Sequence, residues 1–313
     1  HKNCTLILIP ICAPENAKLP TALALGSFDG LHLGHKKVIK AILNEPIAIP
    51  TVVSFWPHPR EVLFGEARLR LDLPSEKTSL LQTLGIEQLV LIPFNKTLAS
   101  KSAEQFVEEI LFKKLKAKHI AVGENFRFGR NREGDISTLK KIGAYLGIKV
   151  SIVSILEDQH GRLSSSRIRK ALNDGDLMHA KYLLNRPYTF RGTVEKGKGL
   201  GNQIGWPTAN LKIDGRKFLP SLGVYASWAS IANKKERFPA VMNLGPQPTI
   251  DPKSSSAVEV HLLDEEIDLL GKELIIEPVQ KLRNQKKFES FKELSKQISL
   301  DANSAKELLI KQL

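Results

Sequence analysis

Two histidines three residues apart, His32 and His35, stand in the run GSFDGLHLGH, just past a short apolar stretch from Ala22 to Leu25. From about Leu31 the spacing turns helical, so the order reads strand, tight turn, helix N-terminus. Residues three apart on a helix project from one face. Gly26 and Gly30 let main chain approach a ligand closely, while the first helical turn offers unpaired N–H groups and the positive end of its dipole. Two imidazoles beside such a terminus suit a polyphosphate; one alone would serve equally well in a local hydrogen bond.

A second cluster of oxygens and cations lies in LSSSRIR (Leu163 to Arg169). Ser164, Ser165 and Ser166 can cap the helix that begins there, and with Arg167 and Arg169 behind them they make a further anion site. Between the two clusters come WPHPREVL, with His58 on a loop at a strand end, and GENFRFGRNREGD (Gly123 to Asp135), which offers Asn125 and three arginines after another strand. Open α/β sheets bind ligands at such strand ends. No cysteine or triad nucleophile accompanies them, so direct in-line attack on a phosphate, which needs positioning and charge neutralisation, is the chemistry these residues suit.

The second half carries a different constellation. GKGLGNQIGWPTANL (Gly197 to Leu211) is a glycine-rich flap; Pro207 forbids the helix that a dinucleotide fingerprint requires, and no G-x-x-x-x-G-K-[ST] loop occurs in the chain. Main-chain N–H groups of such a flap can hold phosphates, and Thr208 and Asn210 add neutral oxygens of the kind Mg²⁺ accepts. In VEVHLLD, Val258, Val260 and Leu262 share one strand face and Glu259, His261 and Leu263 the other. On the strand alone Glu259 reads as a solvated outer-face charge.

The elements that must position these groups change style after Asn185. Before it, strands over Val52–Phe55, Gln88–Phe94, His119–Gly123 and Lys149–Ser154 alternate with helices over Ser75–Leu84, Ala103–Leu115, Ser137–Leu146 and Asp176–Leu184; Leu6 to Ala13 reads as a first strand. That alternation predicts a parallel sheet covered on both faces. From Tyr188 onward RGTVEKG, GVYASWASI, RFPAVMNLG, AVEVHLL and ELIIEPVQKL predict a small antiparallel barrel, closed by two helices over Glu289–Ile298 and Asn303–Gln312. Two domains follow, residues 1–184 and 185–313.

Composition narrows the classes. No run approaches the roughly 20 apolar residues of a membrane-spanning helix, and Pro10 interrupts the one stretch resembling a signal core. Cys4 and Cys12 are too few for a zinc site or a disulfide framework, which fits a cytoplasmic protein. A formal charge of +13 asks for an anionic partner. With aromatics at 6% and no nucleic-acid module, nucleotide phosphates are expected in place of nucleic acid or membrane. Oligomeric state is not legible.

GSFDGLHLGH resembles the HxGH motif of the nucleotidylyltransferase superfamily, and is closest in form to that of the prokaryotic bifunctional riboflavin kinase/FMN adenylyltransferase (FAD synthetase) family. The resemblance runs through most of the chain: LSSSRIR is similar to the family's S-S-T-x-I-R, with Ser166 for threonine; GWPTAN is similar to G-x-P-T-A-N, with Trp206 for phenylalanine; LRNQKKFES carries Gln285 for glutamate. It implies a Rossmann-like adenylyltransferase domain followed by a riboflavin kinase barrel, with riboflavin, FMN and ATP as substrates and Mg²⁺ as cofactor. It implies that Gly26, Phe28, Asp29, Gly34, Ser164, Ser165 and Ser166 hold ATP in the first half, with His32, His35 and Arg169 stabilising phosphate charge and Asn125 meeting the flavin. In the second half it implies Gly197, Gly199, Gly205, Pro207 and Thr208 on ATP, Thr208 and Asn210 on the metal, Glu259 as catalytic base and Arg283 on the flavin side. Another HxGH nucleotidylyltransferase would leave PTAN unexplained; a non-catalytic flavin or nucleotide sensor would keep the same binding residues without turnover.

Overall fold

Buried aliphatic runs build the first half. In the computed structural model, which describes residues 8–66, 69–196, 206–246 and 258–311, the chain divides into two compact units, His1–Ser165 and Ser166–Leu313. In the first, β1 (Ile11–Cys12), β2 (Thr21–Leu25), β3 (Ile49–Trp56), β4 (Gln88–Pro93), β5 (Ala117–Gly123) and β6 (Lys149–Val153) form a parallel sheet in the order β1-β4-β3-β2-β5-β6. Successive side chains of β2 serve opposite faces: Leu23 and Leu25 join a cluster with Phe106, Val107 and Leu139, while Ala22 and Ala24 join one with Val38, Ile39 and Leu81. Both faces are therefore covered, as the alternating pattern predicts.

The topology also fixes where a ligand can sit. The chain steps outward from β2 through β3 to β4, then returns across the sheet to β5, so the order reverses between the neighbours β2 and β5. Crevices outside the carboxyl ends of strands at such a reversal are the binding places of open α/β sheets. The GSFDGLHLGH turn leaves β2 there, and the GENF loop leaves β5 there.

Some expected elements differ. The helix expected over Ala103–Leu115 is α-helical only over Ala103–Gln105; Phe106–Lys114 widens into π turns, with the Leu115 N–H bonding the Ile110 carbonyl at 3.0 Å. Among the described residues of the Leu6–Ala13 run, only Ile11–Cys12 is strand. A two-strand hairpin, β7 (Glu157–Asp158) with β8 (Gly161–Arg162), was not foreseen.

In the second unit, β9 (Phe190–Glu195), β10 (Ala209–Lys212), β11 (Gly223–Ile231), β12 (Phe238–Leu244), β13 (Val258–Leu262) and β14 (Glu273–Arg283) close into an antiparallel barrel in the order β10-β13-β12-β11-β14-β9. The two expected C-terminal helices are one, Phe291–Ile310. The span holds no proline or glycine, and Asp301, which could have capped a second helix, is instead 5% exposed and bound to Arg283. Ala302, Ala305 and Leu309 lay the helix against Val224, Ala226 and Trp228 of the barrel.

Candidate active sites

The first site is a strained turn. Phe28 and Leu31 adopt left-handed backbone (φ 47° and 40°), a conformation costly for side chains with a Cβ, with Gly30 (φ 89°) between them. His32 then caps the helix Leu33–Lys40: its Nδ1 accepts from the Gly34 N–H at 3.2 Å. A neutral ring so engaged carries its proton on Nε2, the nitrogen that can donate to a phosphate oxygen. The His35 ring stacks on it at 3.7 Å between centroids, and Phe28 meets His35 edge-on at 5.5 Å. The expected pair is thus brought together, at a helix N-terminus, on the switch-point edge of the sheet. Gly34 gives the ring room, since a Cβ there would stand 3.0 Å from His32 Cε1 and press the imidazole aside by a few tenths of an ångström.

The flanking residues sort themselves. Asp29 is 3% exposed and its Oδ1 accepts from the Leu71 N–H at 2.9 Å and the Asp72 N–H at 3.4 Å, a bracing role. Ser165 Oγ donates to the Asp29 carbonyl at 2.7 Å, so one of the three serines ties its segment to the same turn. His58 caps Pro59–Phe64, its Nδ1 accepting from the Arg60 N–H at 3.1 Å. In the GENF loop, Arg127 faces Asp135 at 3.5 Å and Arg130 faces Glu133 at 3.9 Å. With its amide oxygen turned to Arg162, Asn125 accepts from that guanidinium at 2.6 and 3.0 Å. Arg162 was missed; its signal was Gly161, which turns the hairpin immediately ahead of the serines. Ser166, Arg167 and Arg169 fall in the second unit, where the Arg169 guanidinium lies over the Phe218 ring at 5.7 Å.

The second site is set by register. Asn210 on β10 and Asn243 on β12 are both paired directly with Glu259 on β13. Directly opposed residues of antiparallel strands keep their Cβ atoms about 4.5–5.5 Å apart on one face. Ala209, Leu211, Val258 and Val260 point inward and are buried, which puts the Asn210–Glu259–Asn243 row on the outer face, with Glu259 exposed. Gln285 Nε2 donates to Asn243 Oδ1 at 2.9 Å, so the residue in the glutamate's place reaches the same row. His261, on the same strand face as Glu259, is 2.7 Å from the Pro207 carbonyl through Nδ1. A carbonyl only accepts, so Nδ1 carries the proton and holds the main chain just ahead of Thr208. Trp206 packs edge-on to His261 at 5.0 Å and against the barrel–helix cluster.

Arg283 donates through Nε and Nη2 to Asp301 at 2.8–3.1 Å and through Nη1 to the Asn284 carbonyl at 3.0 Å. The residue expected at the flavin is therefore also the anchor of the C-terminal helix. Gly197, Gly199 and Gly205 lie outside the described residues. Among the described residues no group of three or more His, Cys, Asp or Glu is placed to hold a metal, and no helix is long and apolar enough to cross a membrane.

Comparison with known proteins covers both sites. The family model described as FAD synthetase matches residues 15–167, and that described as riboflavin kinase matches residues 184–309. A bifunctional riboflavin kinase/FMN adenylyltransferase of Escherichia coli K12 is 35% identical over 289 residues, covering 91% of each chain. The Bacillus subtilis 168 protein of the same name is 35% identical over 300 residues, covering 93% of this chain and 92% of its own. A Streptococcus pneumoniae crystal structure described as a macrolide-efflux protein superposes with a TM-score of 0.81 at 29% identity, over 96% of this chain and 99% of its own.

Proposed function

The chain belongs to the bifunctional riboflavin kinase/FMN adenylyltransferase family, and from that premise we propose how its two sites divide and perform the work. It phosphorylates riboflavin to FMN with one ATP and adenylylates FMN to FAD with a second. The observation that carries this is the presence of both matches, 15–167 and 184–309, in one chain. Adenylyl transfer belongs to residues 1–184 and phosphorylation to 185–313, both in the cytoplasm, where ATP is supplied.

In the kinase half, Glu259 takes the proton from the ribityl 5′-hydroxyl as that oxygen attacks the γ-phosphorus of ATP; the bond to the β–γ bridging oxygen breaks and ADP leaves. Exposure on the outer face gives Glu259 the access this needs. ATP-dependent enzymes of this kind generally need a divalent metal. The donors proposed here, the Asn210 amide oxygen on the residue paired with Glu259 and the Thr208 hydroxyl two residues ahead of it in the chain, are hard oxygens, few enough to leave positions for phosphate and water, which is the habit of Mg²⁺. Bound there, Mg²⁺ would neutralise charge on the phosphates.

In the adenylyltransferase half, a phosphate oxygen of FMN attacks the α-phosphorus of ATP and pyrophosphate leaves. His32 and His35, at the positive end of a helix, stabilise the charge that develops on the phosphates, and Asn125 orients the flavin. The test uses the full chain, riboflavin, Mg²⁺ and ATP labelled at one phosphorus. Label from the γ position is expected in FMN and in FAD, and label from the α position in FAD alone; a product mixture with no labelled flavin refutes the assignment.

A further inference from the structure

Lys77 lies outside every motif that pointed to function, on the helix Pro74–Thr83, and is only 7% exposed. Withdrawing an ammonium from water is costly unless what it meets inside compensates. Its Nζ donates to the carbonyl of Ser27 at 3.1 Å, and Ser54 Oγ reaches the same carbonyl at 3.4 Å. Ser27 is the second residue of the phosphate-gripping run, between β2 and the left-handed Phe28. The segment that carries Lys77 also holds the turn from the other side, since the Leu71 and Asp72 N–H groups donate to Asp29 Oδ1. Leu71 to Lys77 thus grips the turn on both sides of Phe28: through its main chain onto an acid, and through a buried cation onto a carbonyl.

We propose that Lys77 is a positioning residue for adenylyl transfer: its ammonium fixes the Ser27 carbonyl and so keeps the strained GSFDG turn in the shape that receives the phosphates of ATP. A carbonyl oxygen released at this point could rotate toward the anion site and present negative charge to the polyphosphate; the ammonium holds it back and adds positive potential to that side of the turn. The inference rests on the adenylyltransferase reading of the first half.

The chain carries its own control, because riboflavin phosphorylation is performed in the other unit. Lys77→Met removes the charge and keeps the apolar stem; Lys77→Arg keeps a buried cation. FMN-to-FAD and riboflavin-to-FMN rates are measured on the same full-length preparations, with thermal melting alongside. Lys77→Met is expected to lower kcat/KM for FAD formation about 100-fold, as a displacement of about 1 Å at a reacting centre does, with the loss concentrated in KM for ATP. The kinase rate should stay within about twofold of the parent, and Lys77→Arg should recover a substantial part of the loss. A Met variant that melts early yet forms FAD with unchanged constants, or one that loses both activities together, makes Lys77 a residue of stability alone and overturns the proposal. A parent protein that forms no FAD at all refutes instead the reading on which the proposal rests.

Discussion

In the first half, the turn that carries Ser27 and Asp29 is gripped by Lys77, Leu71 and Ser165, partners 50, 42 and 136 residues away. In the second, Asn210, Glu259 and Asn243 are neighbours because three strands are in register, with no side chain needed to bring them together. One proposed phosphate site is an irregular turn braced by individual polar contacts; the other is a row on a ladder of main-chain hydrogen bonds. The difference bears on tolerance. A braced turn changes shape when any one brace is cut, whereas a ladder holds its geometry and loses only the chemistry of the residue replaced.

The sharpest way to break that contrast is at the ladder itself. Glu259→Gln keeps volume and register and removes the proposed base, so FMN formation should fall about 10²–10⁴-fold while FAD formation from supplied FMN continues at the parent rate. A kinase that tolerates this change would return Glu259 to the status of a solvated charge. Next in size is a stability effect. The side chains of Asp301 and Arg283 are 6% and 16% exposed, and Gln297 adds a bond to the same carboxylate at 3.0 Å. Asp301→Ala leaves a guanidinium without its anion, a loss of about 3–5 kcal/mol for a buried pair. Denaturant unfolding followed by far-UV circular dichroism should show the barrel unit melting early and the first unit unchanged.

The same contrast explains what the sequence could and could not show. The parallel sheet was legible because buried parallel strands are continuous apolar runs, as in Leu89–Ile92 and Ile120–Val122, and the barrel because its strands alternate. The two-histidine turn and PTAN were legible because glycine, proline and spacing constrain local backbone. Lys77 and Arg162 were not, since each reaches its partner across tens of residues, and the glycine beside Arg162 marks a turn without naming that partner. Arg283 was found, but not its bond to Asp301, because the partner lies 18 residues on, in a helix whose packing against the barrel no local pattern shows. The role of His261 depended on strand register, which sets it beside Pro207 and which no pattern in one strand reveals.

The braced turn can be tested without removing a polar group. Gly34→Ala adds one methyl, 3.0 Å from His32 Cε1 and 3.1 Å from its Nδ1, at a position where helical backbone itself accepts alanine. The imidazole must give by a few tenths of an ångström, and FAD formation should fall, by less than the about 100-fold that a misplacement of about 1 Å costs, while the kinase rate is unaltered. An alanine variant with parent activity in both assays would show that His32 is not held as tightly as its cap bond implies.

The smallest effect separates the units by pH. His119, at the amino-terminal end of β5, is 2% exposed, with Nε2 against Ser151 at 2.8 Å and Nδ1 facing Glu45 at 3.0 Å, where Lys149 also reaches. Burial, and then the Lys149 charge, push its pKa below the ordinary imidazole value, more than Glu45 raises it. The unfolded chain therefore binds a proton at a pH where the folded one does not, so stability is fully present above about pH 6.5 and declines as the pH falls through that range. Melting of the first unit should drop between neutral pH and about pH 5, above the range in which carboxylates such as Glu15, Glu109 and Asp135, all held low by their partners, begin to titrate. His119→Asn, which cannot take up the proton, should flatten that slope and leave the pH dependence of barrel melting as it was; a slope that survives the substitution would assign the pH dependence to another group in the first unit.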